Sequence, residues 1–210
     1  MIILKIVSPK ISKYLEEVIL NQDMVKNDLV DLMVYNQIID FEIRDIEING
    51  CKFVDVDFSN YPLKNVSFID CIFEKCNLSG SEFSTKSVHR TKFDRCNLVG
   101  VDFISSGLQD VSILDSKCNY INFSDSKIKH FIFKDCVVKE GRFVSVEFLD
   151  TIFDKLDFNN CEFLNTKLKG LDFSSCNISD IGVSASDIRG IIVNEEQALM
   201  LVSLLGIIVK

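Results

Sequence analysis

The sequence predicts an all-β solenoid, and three observations carry that prediction. Neither the 3.6-residue period of an amphipathic helix nor the two-residue period of a half-buried strand holds over most of the chain. A period of five does. From Met33 through Ile38, Ile43, Ile48, Phe53 and Phe58 to Val183, Ile188 and Val193, every fifth residue is apolar, with no charge in the column and no apparent insertion. Finally, the 17 phenylalanines fall in two columns only. All but Phe41 and Phe131 are in the central column, and those two lie two residues earlier in a column that is otherwise mostly small or apolar, such as Cys51, Val56, Cys71, Ser81 and Val101. A fixed short period with two inward columns is the signature of stacked repeats. Each repeat buries its apolar side chains only against its neighbours.

Composition bounds the rest. A chain of 210 residues with 47% apolar residues can form one domain with a substantial core. Its net charge of −8 argues against non-specific nucleic-acid binding, which needs a cationic surface. The opening run MIILKIV is interrupted by Lys5 and followed by Ser8-Pro9, so it does not read as a signal peptide. The longest apolar stretch, Ala198 to Val209, falls short of the ~20 residues that span a bilayer. A soluble, cytoplasmic protein is expected, with its eight cysteines reduced.

The units Cys96-Asn-Leu-Val-Gly and Val101-Asp-Phe-Ile-Ser resemble the pentapeptide-repeat family, whose consensus is Ala-(Asp/Asn)-Leu-x-x. The resemblance implies a right-handed quadrilateral β-helix in which four pentads make one square coil of twenty residues. With coils spaced like strands at about 4.8 Å, roughly eight coils give a rod of roughly 38 Å. Sorted by twenty, Phe53, Phe73, Phe93, Phe133, Phe153 and Phe173 stack on one wall, interrupted by Ile113. Phe83, Phe103, Phe123, Phe143 and Phe163 stack on the opposite wall, with mainly aliphatic ladders between the two. Glycines 50, 80, 100, 170 and 190 occupy the last pentad position, where the chain turns a corner.

Three segments follow: an N-terminal cap at 1–35, the repeat helix at 36–193, and a C-terminal helix and strand at 194–210. The cap is out of the five-residue frame, since Asp28 would fall in the core; a strand and a short helix near Ile11 to Leu20 are expected there. At the other end Asn194 is a good N-cap, Gln197 stands three residues later and Gly206 suits C′. These predict a helix over 195–205 and a short strand at 207–209. The helix is apolar most of the way round, so one side should cap the last coil and another should meet a partner. This end also resembles that of Qnr- and MfpA-type pentapeptide proteins. The resemblance implies a two-fold homodimer through Leu199, Leu201, Val202, Leu204, Leu205, Ile207 and Ile208.

Candidate chemistry is sparse. Seven cysteines occupy the small inward column and Cys118 the central one, which reads as packing. The stacked pairs Cys51/Cys71 and Cys76/Cys96 leave a disulfide geometrically conceivable. No histidine joins either inward column as a metal site would require. His89 and His130 face outward on one wall, where Asp70, Arg90, Asp110, His130 and Asp150 recur every twenty residues and Lys127, Glu147, Lys167 and Asp187 form a second column. Alternating charge is what cross-strand pairing favours. The candidate binding surface on this wall is Arg90, Lys127, Lys129, His130, Lys167 and Lys169. No catalytic residue, metal or cofactor is expected, and the chain reads as a non-enzyme. The Qnr/MfpA resemblance implies a DNA mimic that engages DNA gyrase or topoisomerase IV and protects it from inhibitors. The alternative is a structural or interaction scaffold. Against mimicry, no wall carries a sustained negative stripe.

Overall fold

The computed structural model describes residues 6–202, 204 and 206–208. Its strands are all parallel and stack, as the pentad period predicts, into a four-sided solenoid of about seven turns. The elements on two adjacent walls show how it is built. In the early coils, β4 (Glu47–Asn49) and β5 (Lys52–Val54) are separate, as are β6 (Ser67–Ile69) and β7 (Ile72–Glu74). In later coils the two walls join into continuous bent strands: β8 (Ser87–Asp94), β9 (Gly107–Leu114), β10 (Lys127–Lys134) and β11 (Glu147–Asp154). The register advances by twenty per turn, Phe73 pairing with Phe93 and Phe93 with Ile113. The remaining walls are tied by single bridges such as Asp57 to Asn77 and Asp102 to Asn122. Backbone groups are thereby satisfied between coils, as a buried coil requires.

The expected ladders are present. Phe53, Phe73 and Phe93 stack with ring centroids 4.9 and 5.1 Å apart, and Phe103/Phe123 and Phe143/Phe163 do so at 5.0 and 4.7 Å. Phe68 and Phe158 fill the remaining space edge-on. Between Asp45 and Gly190, every described residue in the left-handed region is at the last pentad position. The five glycines named above are among them, but most of these corners carry Asp, Asn, Ser or Lys. Asp and Asn tolerate this conformation best among residues with a Cβ.

The frame does slip once. Met33 is only half-buried and Ile38 is exposed, whereas Val34 and Ile39 are fully buried. Val34 pairs with Phe53 and Leu29 with Ile48, an advance of nineteen. The missing residue lies between Ile39 and Ile43, so the coil pattern runs back to Leu29 in a shifted frame, leaving Asp28 outside. Upstream, β1 (Glu16–Val18) adds to β3 (Leu32–Tyr35) at the free edge. The expected helix near 11–20 is replaced by this strand, and the only helical turn of that region is a 3-10 turn at Met24–Lys26. An unpaired parallel edge offers a row of backbone donors and acceptors that a strand satisfies and a helix does not.

At the opposite end α1 spans Glu195–Val202. Asn194 and Gln197 form a reciprocal capping box, each donating its amide N–H to the other's side-chain oxygen at 2.9 Å. Gly206 adopts φ +70°, as expected. Ile207 and Ile208 form no strand, and the rest of the expected helix at 203 and 205, with residue 209, lies outside the described residues. No helix among the described residues is long and apolar enough to cross a membrane.

Candidate binding surfaces

The corner between the two strand-rich walls concentrates charge. Its left-handed residues Asp70, Arg90, Asp110, His130 and Asp150 project side by side from successive coils. Arg90 is bidentate on Asp70, with both N–O distances 2.6 Å. His130 sits 3.2 Å from Asp110 and 3.6 Å from Asp150, and His89 lies 3.7 Å from Asp110. The alternation expected from the sequence is therefore a paired ladder.

Sequence reading missed what covers it. Residues 7–10 run along the rod axis over this corner. The Val7 amide donates to Asp110 Oδ1 at 3.0 Å and the Lys10 amide to Asp70 Oδ1 at 2.8 Å. Both carboxylates are buried. Burial alone would raise the pKa of Asp70. The hydrogen bonds from Arg90 and the Lys10 amide outweigh it and hold the group below the usual carboxylate range. At Asp110 burial is likewise outweighed, by the Val7 amide, Gln109 and His130. The strap docks through backbone N–H groups, which leave no side-chain pattern to read.

The wall beside this corner carries the candidate lysines. Of the six residues named from sequence, Arg90 and His130 are engaged in the ladder, and Lys127 lies 3.9 Å from Glu147. Lys129, Lys167 and Lys169 have no carboxylate within ion-pair distance among the described residues. Lys127 and Lys129 border a shallow hollow of about 350 Å³ with Ser87, His89, Gln109 and Gly107. The structure thus separates the set into two members of the ladder and four lysines on an open wall.

All eight cysteines are free and buried. Burial pushes the Cys51 thiol up to about 11 and the Cys161 thiol up to about 12, and raises Cys71 further. Enclosed in the core, all eight are shielded from reagents in solution. They do more than fill space, however. Cys71 Sγ donates to the Ile48 carbonyl at 3.2 Å, Cys161 Sγ to that of Val138 at 2.9 Å, and Thr166 Oγ1 to that of Phe143 at 2.5 Å. Each reaches a carbonyl twenty-three residues back, on the preceding coil.

The C-terminal end combines a cap with an exposed apolar side. Gln197 Nε2 donates to the carbonyls of Phe173 and Cys176 at 2.9 and 2.7 Å, closing the last coil. Leu201 is buried against that coil and Val202 is half-buried, whereas Leu199 (59%), Leu204, Ile207 and Ile208 are exposed. Of the residues assigned to a dimer contact, Leu201 is therefore spent on capping, and Leu205 lies outside the described residues.

Compared with known proteins, residues 66–143 match the family described as "Pentapeptide repeat region". No curated protein matches. Among solved structures the chain is similar to QnrB1, described as a plasmid-mediated fluoroquinolone resistance protein. The trypsin-treated form shares 21% identity over 88% of this chain and 100% of that chain, with a TM-score of 0.37. The full-length form shares 20% over 86% and 100%, with a TM-score of 0.35. It is also similar to HetL, described as involved in heterocyst differentiation regulation in the cyanobacterium Nostoc, with 9% identity over 79% and 84% and a TM-score of 0.42.

Proposed function

The repeat region of this chain belongs to the pentapeptide-repeat family, and on that premise we propose a non-catalytic protein-binding rod that works as a homodimer joined at its C-terminal ends. The observation that carries the reading is the division of labour in α1 and the residues after it. Gln197 and Leu201 close the last coil, while Leu199, Leu204, Ile207 and Ile208 leave an apolar cluster facing outward at the end of the rod. A cluster of this kind at the tip of a capped solenoid suits a self-complementary contact. The walls then present their charge to other proteins, with Lys127, Lys129, Lys167 and Lys169 as the basic strip, and the reduced thiols suit a cytoplasmic setting. Small-angle scattering tests the arrangement. An end-to-end dimer lengthens the rod about twofold at constant cross-section, whereas a side-by-side pair or a single chain contradicts it.

A second reading makes the partner a type II topoisomerase, DNA gyrase or topoisomerase IV, engaged by a rod that imitates duplex DNA and shields the enzyme from inhibitors. The net charge of −8 favours it. Pairing of wall carboxylates with cations weighs the other way, as with Glu74 and Lys52 at 2.8 Å, Asp154 and Lys134 at 2.9 Å, and Asp94 and Lys92 at 2.8 Å. A phosphate-like stripe needs unpaired negative charge. A gyrase supercoiling assay with and without a fluoroquinolone decides between the readings. Inhibition or protection at micromolar protein supports topoisomerase engagement, and no effect removes it while leaving the binding rod standing.

A further inference from the structure

The one place where the five-residue frame loses a residue also holds a groove. Ile39 and Ile43 are both fully buried although only four residues apart, and Asp40 between them lacks the left-handed corner conformation found at most later corners. Two oversized residues mark the same wall. Phe41 and Tyr61, twenty residues apart, occupy the small inward column, where later coils carry Ser81, Val101, Ile121 and Gly141. The corner has no room for them: Phe41 is half-buried and Tyr61 is 44% exposed. Opposite stands the segment after β1, pinned by Gln37, which accepts from the Leu20 amide at 2.9 Å and donates to the Leu20 carbonyl at 2.8 Å. Between the two is an open groove of about 770 Å³.

Half of its lining is apolar, Ile19, Leu20, Ile38, Phe41 and Tyr61, and the other half is polar with an acidic rim. Ile19 and Ile38 are 80% and 67% exposed, beside Phe41 and Tyr61. Such neighbours are rarely left to water together on a protein surface without a partner. The only charged residues of the lining are Asp40 and Glu42. Glu42 has Arg44 at 3.6 Å, and Asp40 makes no ion pair among the described residues. The surrounding chain is acidic too. Residues 1–47 contain five basic and nine acidic residues, so this end carries a net −4 of the chain's −8.

We propose that this groove docks a short segment of a partner protein that presents one or two aliphatic or aromatic side chains next to lysine or arginine. The apolar floor supplies affinity and the acidic rim supplies selection and steering. The site rests on the reading of the chain as a protein-binding rod but is remote in sequence from the C-terminal contact and the lysine wall, so its failure leaves both standing.

The test is a random twelve-residue peptide library displayed on phage and selected against the full chain. Enriched peptides, made synthetically with a fluorescent label, are then measured by anisotropy. Enriched sequences are expected to combine an apolar anchor with Lys or Arg, and to bind more weakly as salt rises. Ile38→Asp is expected to weaken binding about tenfold or more and Asp40→Lys severalfold. Both side chains face solvent, so circular dichroism should match the parent, and Asp40→Lys decides alone if Ile38→Asp does not fold. Enrichment of nothing, enrichment of acidic peptides, or binding unchanged by Asp40→Lys overturns the proposal. Self-association that Ile38→Asp abolishes also overturns it, by showing that a second copy of the chain covers the groove.

Discussion

The hydroxyl or thiol at several of the inward small positions meets two demands, filling a narrow corner and answering a carbonyl of the coil before. Thr166 shows this most fully: its oxygen accepts from the Val146 amide at 3.0 Å and donates to the Phe143 carbonyl. Thr166→Val keeps the shape but strands both backbone groups, and should cost about 1–3 kcal/mol in chemical denaturation. Cys161 plays the same part between the Gly141 amide and the Val138 carbonyl. Cys161→Ser should therefore be better tolerated than Cys161→Ala. Because the thiols are buried, a disulfide-exchange reagent such as DTNB should label the native protein slowly and reach all eight cysteines only on unfolding. The period places these cysteines inward, as packing residues with a disulfide between stacked pairs conceivable, but it hides their carbonyl partners, because a period reveals which way a residue points and not which atom it touches. The same limit hid the frame slip. Ile38-Ile39 and Met33-Val34 are adjacent apolar pairs, so either register keeps the central column apolar. Burial, the nineteen-residue pairing and the left-handed corners at Asp31 and Asn36, one residue later than the five-residue frame puts them, separate the two.

At the scale of elements, both ends are closed by segments that speak to backbone groups. Gln197 is the clearest case, and its N-cap spacing was legible because a capping box is a local pattern. Its second contact, to the carbonyls of Phe173 and Cys176, is not local and was not legible. Gln197→Ala removes the side-chain acceptor of the Asn194 amide, one half of the capping box, and leaves the Cys176 carbonyl of the last coil unanswered. It should lower stability by about 1–3 kcal/mol, whereas an exposed change such as Glu195→Gln should be near neutral. The N-terminal strap gives a pH dependence. The folded-state pKa values of Asp70 and Asp110 lie below the ordinary carboxylate value. A depressed carboxylate contributes stability that is complete above its unfolded pKa of about 3.9 and is lost as pH falls through the lower folded value. Amide exchange at Val7 and Lys10 should thus be protected at pH 6 and rise steeply, relative to β9, as the pH drops below about 4. Asp70→Asn with Asp110→Asn should remove most of that pH dependence.

For the whole molecule, the architecture follows from one rule applied many times, which is why the period alone revealed it. Four pentads close a square, the central residues fill its axis, and aromatic ladders on opposite walls keep successive coils in register. Function does not inherit that legibility. The walls repeat by construction, so a binding surface differs from its surroundings only where repetition fails: at the slip beside Ile39, at the strap, and at the end formed by α1. The proposed dimer forms through this last place, and light scattering of the purified full chain tests it. The predicted result is a mass of two chains, falling to one in Leu199→Glu with an unchanged circular dichroism spectrum. A parent protein that scatters as a single chain, or a Leu199→Glu variant that keeps the mass of two, would contradict it.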